Sequence, residues 1–453
     1  MAPPGNPLLK ALDNGPAHVM ETRSPGDSPQ TPPLDVASRR ASALEEQGRV
    51  KEALDIHLQI ASARPENADA WGNAAVLSNR LHRWQDAIRY AHAALARGCD
   101  RFELYDALSR SCGALKQEDA ARRYGLRALD MRARQFSGPP VIPPPTPQLM
   151  PPPPSAQTRD RNVIAFSLFG GNSKYCESAV LNVQEQPRIY PHWVCRFYVD
   201  ASVPESVISR LRKDGAQIVP IDGSAAHWPG PMWRLLALDD PLAHRILFRD
   251  ADSVISRREA AAVDQWLISG KRFHMMRDAC SHTELILAGL WGTVGGSLPP
   301  LQELMQQFMS EPIKSRHFAD QFFLRQYVWP YARTSLMQHD SMFGFMNAVP
   351  FPDREKPAYF HVGCTESAPF FSVKSNQPDG SEVTWALYLM GKRDDGQTHE
   401  ELVCAYPGIV KNGAVTAHIP NRYAQRLEQG TARVRLTGRD AAVVANPMPP
   451  SPA

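Results

Sequence analysis

Two aspartates one residue apart, Asp250 and Asp252, close the apolar run Ile246-Leu247-Phe248-Arg249. Such a run reads as a buried strand, and carboxylates just past its end form a cradle for a hard divalent cation. Oxygen ligands suit Mg²⁺ or Mn²⁺, and Mg²⁺ takes one or two carboxylates and completes its shell with substrate phosphates. In open α/β sheets, ligands bind outside the carboxyl ends of the strands, which is where this pair falls. The alternative is a pair of turn formers. Other residues fit chemistry at phosphate. Arg234 and Arg249 are cations that could neutralise phosphate oxygens, though Arg234 reads equally as a solvated helix residue. Asp320 and, after the run Phe273-His274-Met275-Met276, Asp278 are candidate bases for a hydroxyl proton. Asp320 also suits the exposed face of an amphipathic helix. Trp291, between Gly289 and Gly292, is either core packing or the wall of a pocket that the glycines let a ligand approach.

The surrounding elements alternate. Val163–Phe169, Trp193–Val199, Gln217–Ile221, Arg245–Arg249 and Arg272–Met276 read as strands. Pro204–Lys213 and Met232–Leu238 read as helices, and a third is capped by Ser256 with Glu259 and stopped by Gly270. This alternation predicts an α/β fold with a mainly parallel sheet and right-handed crossovers.

Upstream, a 34-residue period runs through residues 34–136. Ala53, Ala87 and Ala121 keep that step, as do Tyr90 with Tyr124, Trp71 with Tyr105, and Ala94-Leu95 with Ala128-Leu129. Small residues at fixed spacing let paired helices cross closely. The period resembles the tetratricopeptide repeat, which implies an all-α array of about three units used for docking a partner or for self-association. A plain helical bundle is the alternative. Between array and α/β region, residues 137–158 hold ten prolines over Pro139–Pro154, read as an extended polyproline spacer. Residues 1–33 are Pro-, Gly-, Ser- and Asp-rich, the composition of a disordered tail. Residues 370–453 carry no pattern that assigns a role.

Composition narrows the class. The chain has 453 residues, net charge +3, and seven cysteines without a C-x-x-C. Small charge gives no reason to expect a nucleic-acid partner. Scattered, odd-numbered cysteines point away from a disulfide framework and toward a reducing, cytoplasmic compartment. No segment approaches about 18 uninterrupted apolar residues, and no signal peptide is visible after Met1.

Residues 162–365 resemble a GT-A glycosyltransferase domain, a Rossmann-related α/β fold. The likeness rests on Phe166-Ser167-Leu168-Phe169-Gly170, Met232-Trp233-Arg234-Leu235, Asp250-Ala251-Asp252, Ile286 through Gly292, Asp320-Gln321 and Tyr359-Phe360-His361-Val362-Gly363, in that order. The resemblance implies that Phe166, Ser167 and Leu168 meet the donor nucleotide, with uridine as the family-level guess. Gly289, Trp291 and Gly292 would shape the donor-sugar pocket, Asp320 would lie near sugar and acceptor, and His361 would be a third metal ligand, as in the glycogenin-like branch. The lysine-containing tail of that last motif is missing, and His339 competes for the role. The implied domain spans residues 159–369.

The expected function is therefore a metal-dependent transfer of sugar from a nucleoside diphosphate to a glycan, lipid-linked or protein acceptor, using Mn²⁺ or Mg²⁺ held by Asp250 and Asp252. A flexible link would leave the two parts independent, so that a chain starting near Gln157 keeps metal binding. Two alternatives are a non-catalytic scaffold that binds nucleotide-sugars and a metal-dependent phosphohydrolase, the latter lacking a second carboxylate cluster for a two-metal clamp.

Overall fold

Alanine at the helix crossings is what lets the first six helices stack. In the computed structural model Ala53, Ala87 and Ala121 are fully buried. The model describes residues 34–146, 148–312, 315–316, 318–352, 361–364, 366, 369–392, 398–437 and 446–447. The tail expected over residues 1–33, Tyr359-Phe360 of the histidine segment and the end from Pro449 lie outside them.

The helices are α1 (Leu34–Glu46), α2 (Val50–Ala63), α3 (Ala68–Arg80), α4 (Trp84–Ala96), α5 (Phe102–Ala114) and α6 (Glu118–Phe136), packed in sequence as an array. The 34-residue period is also written in the backbone. The turns inside successive pairs place Gly48, His82 and Lys116 at φ of 74°, 59° and 58°, and two of these three are not glycine. Asn79 crosses from α3 to α5, where its amide donates to Ala107 O at 3.1 Å and Ser111 Oγ at 2.8 Å.

The second part is built on β1 (Asn162–Leu168), α7 (Ser173–Ile189), β2 (Val194–Val199), α8 (Glu205–Lys213), β3 (Gln217–Pro220), a 3-10 helix (Gly230–Asp239), β4 (Arg245–Phe248), α9 (Arg257–Ile268), β5 (Phe273–Arg277) and β6 (Trp291–Val294). It continues through α10 (Leu301–Met309), α11 (Ala319–Phe323), a π-turn (Leu324–Val328), α12 (Trp329–Ala332) and β7 (Leu336–Asp340). The sheet order is β3-β2-β1-β4-β6-β5-β7. Only β6 runs antiparallel, against both β4 and β5. The expectation of a mainly parallel sheet behind a helical repeat array is met. Strand β6 holds Trp291 and Gly292, which the resemblance places in the donor-sugar pocket. Ser256 caps α9 by accepting from Glu259 N at 3.3 Å, while the Glu259 carboxylate turns to Arg249 at 2.9 Å, so the reciprocal half of the capping box is spent elsewhere.

The region beyond residue 369 is β-rich. Strands β8 (Phe370–Lys374), β9 (Glu382–Lys392), β10 (Thr398–Ile409), β11 (Ala414–His418), β12 (Ala432–Thr437) and β13 (Asn446–Pro447), with α13 (Asn421–Glu428), form two three-stranded sheets, β10-β9-β12 and β11-β8-β13. They share a core with α7 and α8. Glu177 on α7 anchors them. It accepts from Arg210 at 2.7 and 2.9 Å and from the Tyr406 hydroxyl at 2.5 Å.

The proline-rich segment does not run free. Arg245 donates to Pro151 O and Pro152 O at 2.8 and 2.6 Å, Arg272 to Gln148 O, and the Tyr331 hydroxyl to Ile142 O at 2.6 Å. The array is seated as well. Leu129 of α6 belongs to the core beneath β1 and β4, and a side chain on Gly125 would collide with the Phe343 ring. The expectation of a flexible link is corrected: four carbonyls of this segment, those of Ile142, Gln148, Pro151 and Pro152, are taken up by two arginines and a tyrosine of the α/β domain.

Candidate functional site at the carboxyl end of β4

Parallel pairing of β1 with β4 brings the exit of β1 beside the aspartate pair. Alternation along β1 then sorts its side chains. Ile164, Phe166 and Leu168 face the core with α7 and α8, and Val163, Ala165 and Ser167 face the 3-10 helix. Phe166 is fully buried, stacked on Phe197 at 4.7 Å, and Leu168 is buried too. Placing Phe166 and Leu168 against a nucleotide is therefore corrected. Ser167 does reach the site. It accepts from Arg234 N at 2.9 Å and lies 3.3 Å from Pro231 O, fixing the 3-10 helix on the strand.

Arg234 is the hub. Its guanidinium donates to Asp250 Oδ1 at 2.5 Å, to Arg249 O at 2.7 Å and to Asp320 Oδ2 at 2.8 Å. It is buried, not solvated. Burial pushes its pKa down, but Asp250 and Asp320 outweigh that and raise it. Asp320 is buried as well, and burial raises its carboxyl pKa against the pull of Arg234. Its second oxygen accepts from Gln321 N at 2.8 Å. Gln321, with its amide nitrogen toward Ile286 O and its oxygen toward Ala288 N at 2.9 Å each, ties α11 to the loop before β6. That loop brings Gly289 against the Asp250 carboxylate.

Asp252 stands on the outer side, where Lys174 in the first turn of α7 pairs with its Oδ2 at 2.8 Å. Burial lowers the lysine pKa, and the Asp252 contact more than reverses this. Side chains of Asp250 and Asp252 are 48% and 32% exposed, unlike the enclosed Arg234 and Asp320. Lys174 carried no signal in the sequence. Its spacing from Asp252 is long, and only the packing of α7 beside the β4 exit makes it a partner.

Several expected residues fall elsewhere. Trp291 is 1% exposed and stacks on Phe248 at 4.2 Å, and a side chain on Gly292 would meet Leu247 and Ile246 O. Both belong to strand packing, not a pocket wall. Arg249 turns inward to Glu259 and to Phe248 O and Trp291 O. Asp278 is locked by Arg258 at 3.0 and 3.1 Å, Ser341 Oγ at 2.5 Å and Val362 N at 3.1 Å. Burial raises its pKa, yet these donors prevail and hold it below the usual carboxylate value, which makes it a poor base. His361 lies by Val362 O at 2.8 Å and packs edge-on to His282, with no bond to either aspartate. His339 is on β7 and fully buried, bonded to His274 and Gln265. Among the described residues no group of three or more His, Cys, Asp or Glu forms a metal cradle, so the set Asp250, Asp252 and His361 is not brought together.

No protein-family model and no curated protein matches the chain. Solved structures align with parts of it. The first tetratricopeptide repeat domain of Spaghetti (RPAP3), bound to an HSP90 peptide, shares 23% identity over 21% of this chain and 76% of that one, with a TM-score of 0.20. A Thermobaculum terrenum O-GlcNAc transferase mutant shares 14% over 48% of this chain and 50% of that one, at 0.27. The 4-diphosphocytidyl-2C-methyl-D-erythritol synthase of Anaerococcus prevotii shares 10% over 41% of this chain and 88% of that one, at 0.27. These are partial, low-scoring likenesses, and the chain spans about half the length of the O-GlcNAc transferase. No helix among the described residues is long and apolar enough to cross a membrane.

Proposed function

We propose that the chain transfers a sugar from a nucleoside diphosphate donor to an acceptor hydroxyl at the carboxyl end of β4. The observation that carries this reading is the Asp250–Arg234–Asp320 bridge. It buries a cation beside a half-exposed carboxylate, with Asp252 and Lys174 flanking it on the open side. Such a mouth suits a ligand that is anionic yet bound through a cation.

A divalent ion fits the donor set. Both aspartates offer hard oxygens to solvent, and Arg234 and Lys174 engage one oxygen of each, Asp250 Oδ1 and Asp252 Oδ2. Asp250 and Asp252 would hold Mn²⁺ or Mg²⁺, and two carboxylates suffice where phosphates complete the shell. When bound, the ion neutralises charge on the departing diphosphate as a Lewis acid.

The chain's own residues do the rest. Arg234 fixes the Asp250 carboxylate in one rotamer and places positive charge behind it. Asp320, with one oxygen on Arg234 and the other on Gln321 N–H, is closed to an acceptor hydroxyl, so its part is to orient Arg234. Lys174 exchanges Asp252 for a phosphate oxygen when donor binds. In the transfer, the bond from the anomeric carbon to the diphosphate oxygen breaks and a bond to the acceptor oxygen forms. With Asp278 and Asp320 both engaged, the hydroxyl proton goes to the departing diphosphate. The array docks the acceptor or another protein.

The test is release of nucleoside diphosphate from a panel of nucleotide-sugars with Mn²⁺, using the full chain and Asp252→Asn. Donor-selective release that Asp252→Asn abolishes supports transferase chemistry. Tight binding of a nucleotide-sugar with no release from any donor supports the scaffold instead.

A further inference from the structure

The loop between β5 and β6 carries Gly289 to the Asp250 carboxylate, yet much of what holds it comes from outside the α/β domain. Its own domain supplies Arg277, which donates to Glu284 O and Leu285 O at 3.0 and 2.7 Å, and Gln321, which holds Ile286 O and Ala288 N nearer Gly289. The helical array supplies the other side. Ser109 Oγ of α5 lies 2.9 Å from both Cys280 O and Ala121 O and shares its one proton between them, and Arg132 of α6 donates to Thr283 O at 3.1 Å. Arg132 also sits 3.4 Å from the Glu284 carboxylate, which Arg325 of the π-turn approaches at 3.3 Å. Arg132 is buried and held in turn by Asp106 of α5. A loop held by backbone carbonyls in this way has its main chain fixed, whatever its own side chains do.

We infer that the array is a working part of the site: Ser109 and Arg132 are positioning residues that fix the β5–β6 loop and, through Gly289, the Asp250 carboxylate. The link to turnover rests on the glycosyl-transfer reading, but the mechanical link does not. An occupant of the array that shifts α5 or α6 would change the site without touching it.

The test is hydrogen–deuterium exchange on the full chain, with Mn²⁺ and UDP titrated in parallel, for wild type, Ser109→Ala, Arg132→Met and Arg132→Lys. Loss of one such hydrogen bond is expected to speed exchange over residues 281–290 about five- to tenfold, with β1 to β3 unchanged. Arg132→Met is expected to exceed this and Arg132→Lys to recover part of it. Mn²⁺ affinity should fall in the same order. A loop that stays protected while α5 and α6 loosen overturns the inference, as does a loosened loop with unaltered Mn²⁺ affinity. If Arg132→Met unfolds the chain, Ser109→Ala decides. If wild type binds Mn²⁺ but no UDP, the donor reading fails while the coupling is still judged by exchange and Mn²⁺ affinity.

Discussion

A Cβ on Gly289 would sit 2.0 Å from Oδ2 of Asp250, far inside any tolerable contact. The carboxylate that ends β4 therefore keeps its place because the loop beside it has no side chain there. Gly289→Ala must push either the loop or the carboxylate aside. We expect a cooperative thermal transition to survive and Mn²⁺ affinity to drop at least about tenfold, a cost near 1.4 kcal/mol. Unchanged affinity by calorimetry would separate Asp250 from cation binding.

Arg234 stands between two carboxylates, one of them buried. Removing it leaves Asp320 enclosed without its cation, which costs on the order of 3–5 kcal/mol in a buried pair. Arg234→Ala should lower urea stability by about that much, and adding Asp320→Asn should restore part of the loss. Arg234→Lys keeps the charge but not the planar fork that reaches both partners. Strictly additive losses in the double variant would show that the two residues do not act as a pair.

The Lys174–Asp252 pair is different, because both side chains are about one-third exposed. Exposed ion pairs contribute about 0–1 kcal/mol. Lys174→Gln should leave stability within about that range while tightening Mn²⁺ binding, since a competing cation for Asp252 has gone. Weaker Mn²⁺ binding would mean that Lys174 supports the cation instead of competing with it.

Much of this was legible in the sequence, and the gaps have physical causes. Ala53, Ala87 and Ala121 announce the array because only a small side chain fits where helices cross. The aspartate pair is legible because Ile246, Leu247 and Phe248 mark a buried strand. The direction of β6 is not, because the four residues Trp291-Gly292-Thr293-Val294 carry no sign of whether their partners run with or against them. Phe166 and Leu168 were misplaced for want of strand alternation, which sends Ser167 alone to the site. Arg249 next to Asp250 looks as suitable for phosphate as Arg234, and only packing against Glu259 turns it inward. The β-rich region after residue 369 does alternate, as in Ala432-Arg433-Val434-Arg435-Leu436-Thr437, but each run is short and pairs with a strand far away in sequence, as β12 does with β9, so no local pattern shows which strands meet.

His339 gives a pH signature. It is bonded to His274, and burial pushes its pKa down to about 4 from an ordinary 6.5. Near pH 7 both folded and unfolded chains hold it neutral. As pH falls below 6.5 the unfolded chain takes up a proton that the folded chain refuses, so folding stability declines down to about pH 4. His274 shifts the same way. Chemical denaturation from pH 7 to 4 should show that decline, and His339→Gln should flatten it. An equally steep slope in the variant would place the acid sensitivity elsewhere.

Seating of α6 sets the fate of truncations. A chain beginning at Gln157 loses Leu129 from the core beneath β1 and β4, together with the proline segment that takes up Arg245. Burial of one large aliphatic side chain is worth about 1.5–3 kcal/mol, and the bared surface is apolar. The truncated chain should melt lower and self-associate on size-exclusion chromatography. A monomeric product with the full-length Tm would restore the independent-domain view.

The most direct measurement is calorimetric titration of UDP into the full chain with Mn²⁺, with EDTA, and with Asp252→Ala. Binding that needs both the ion and Asp252 is the expected result. Binding of equal strength in EDTA, or in Asp252→Ala with Mn²⁺ present, would contradict a cation-mediated donor site at the end of β4.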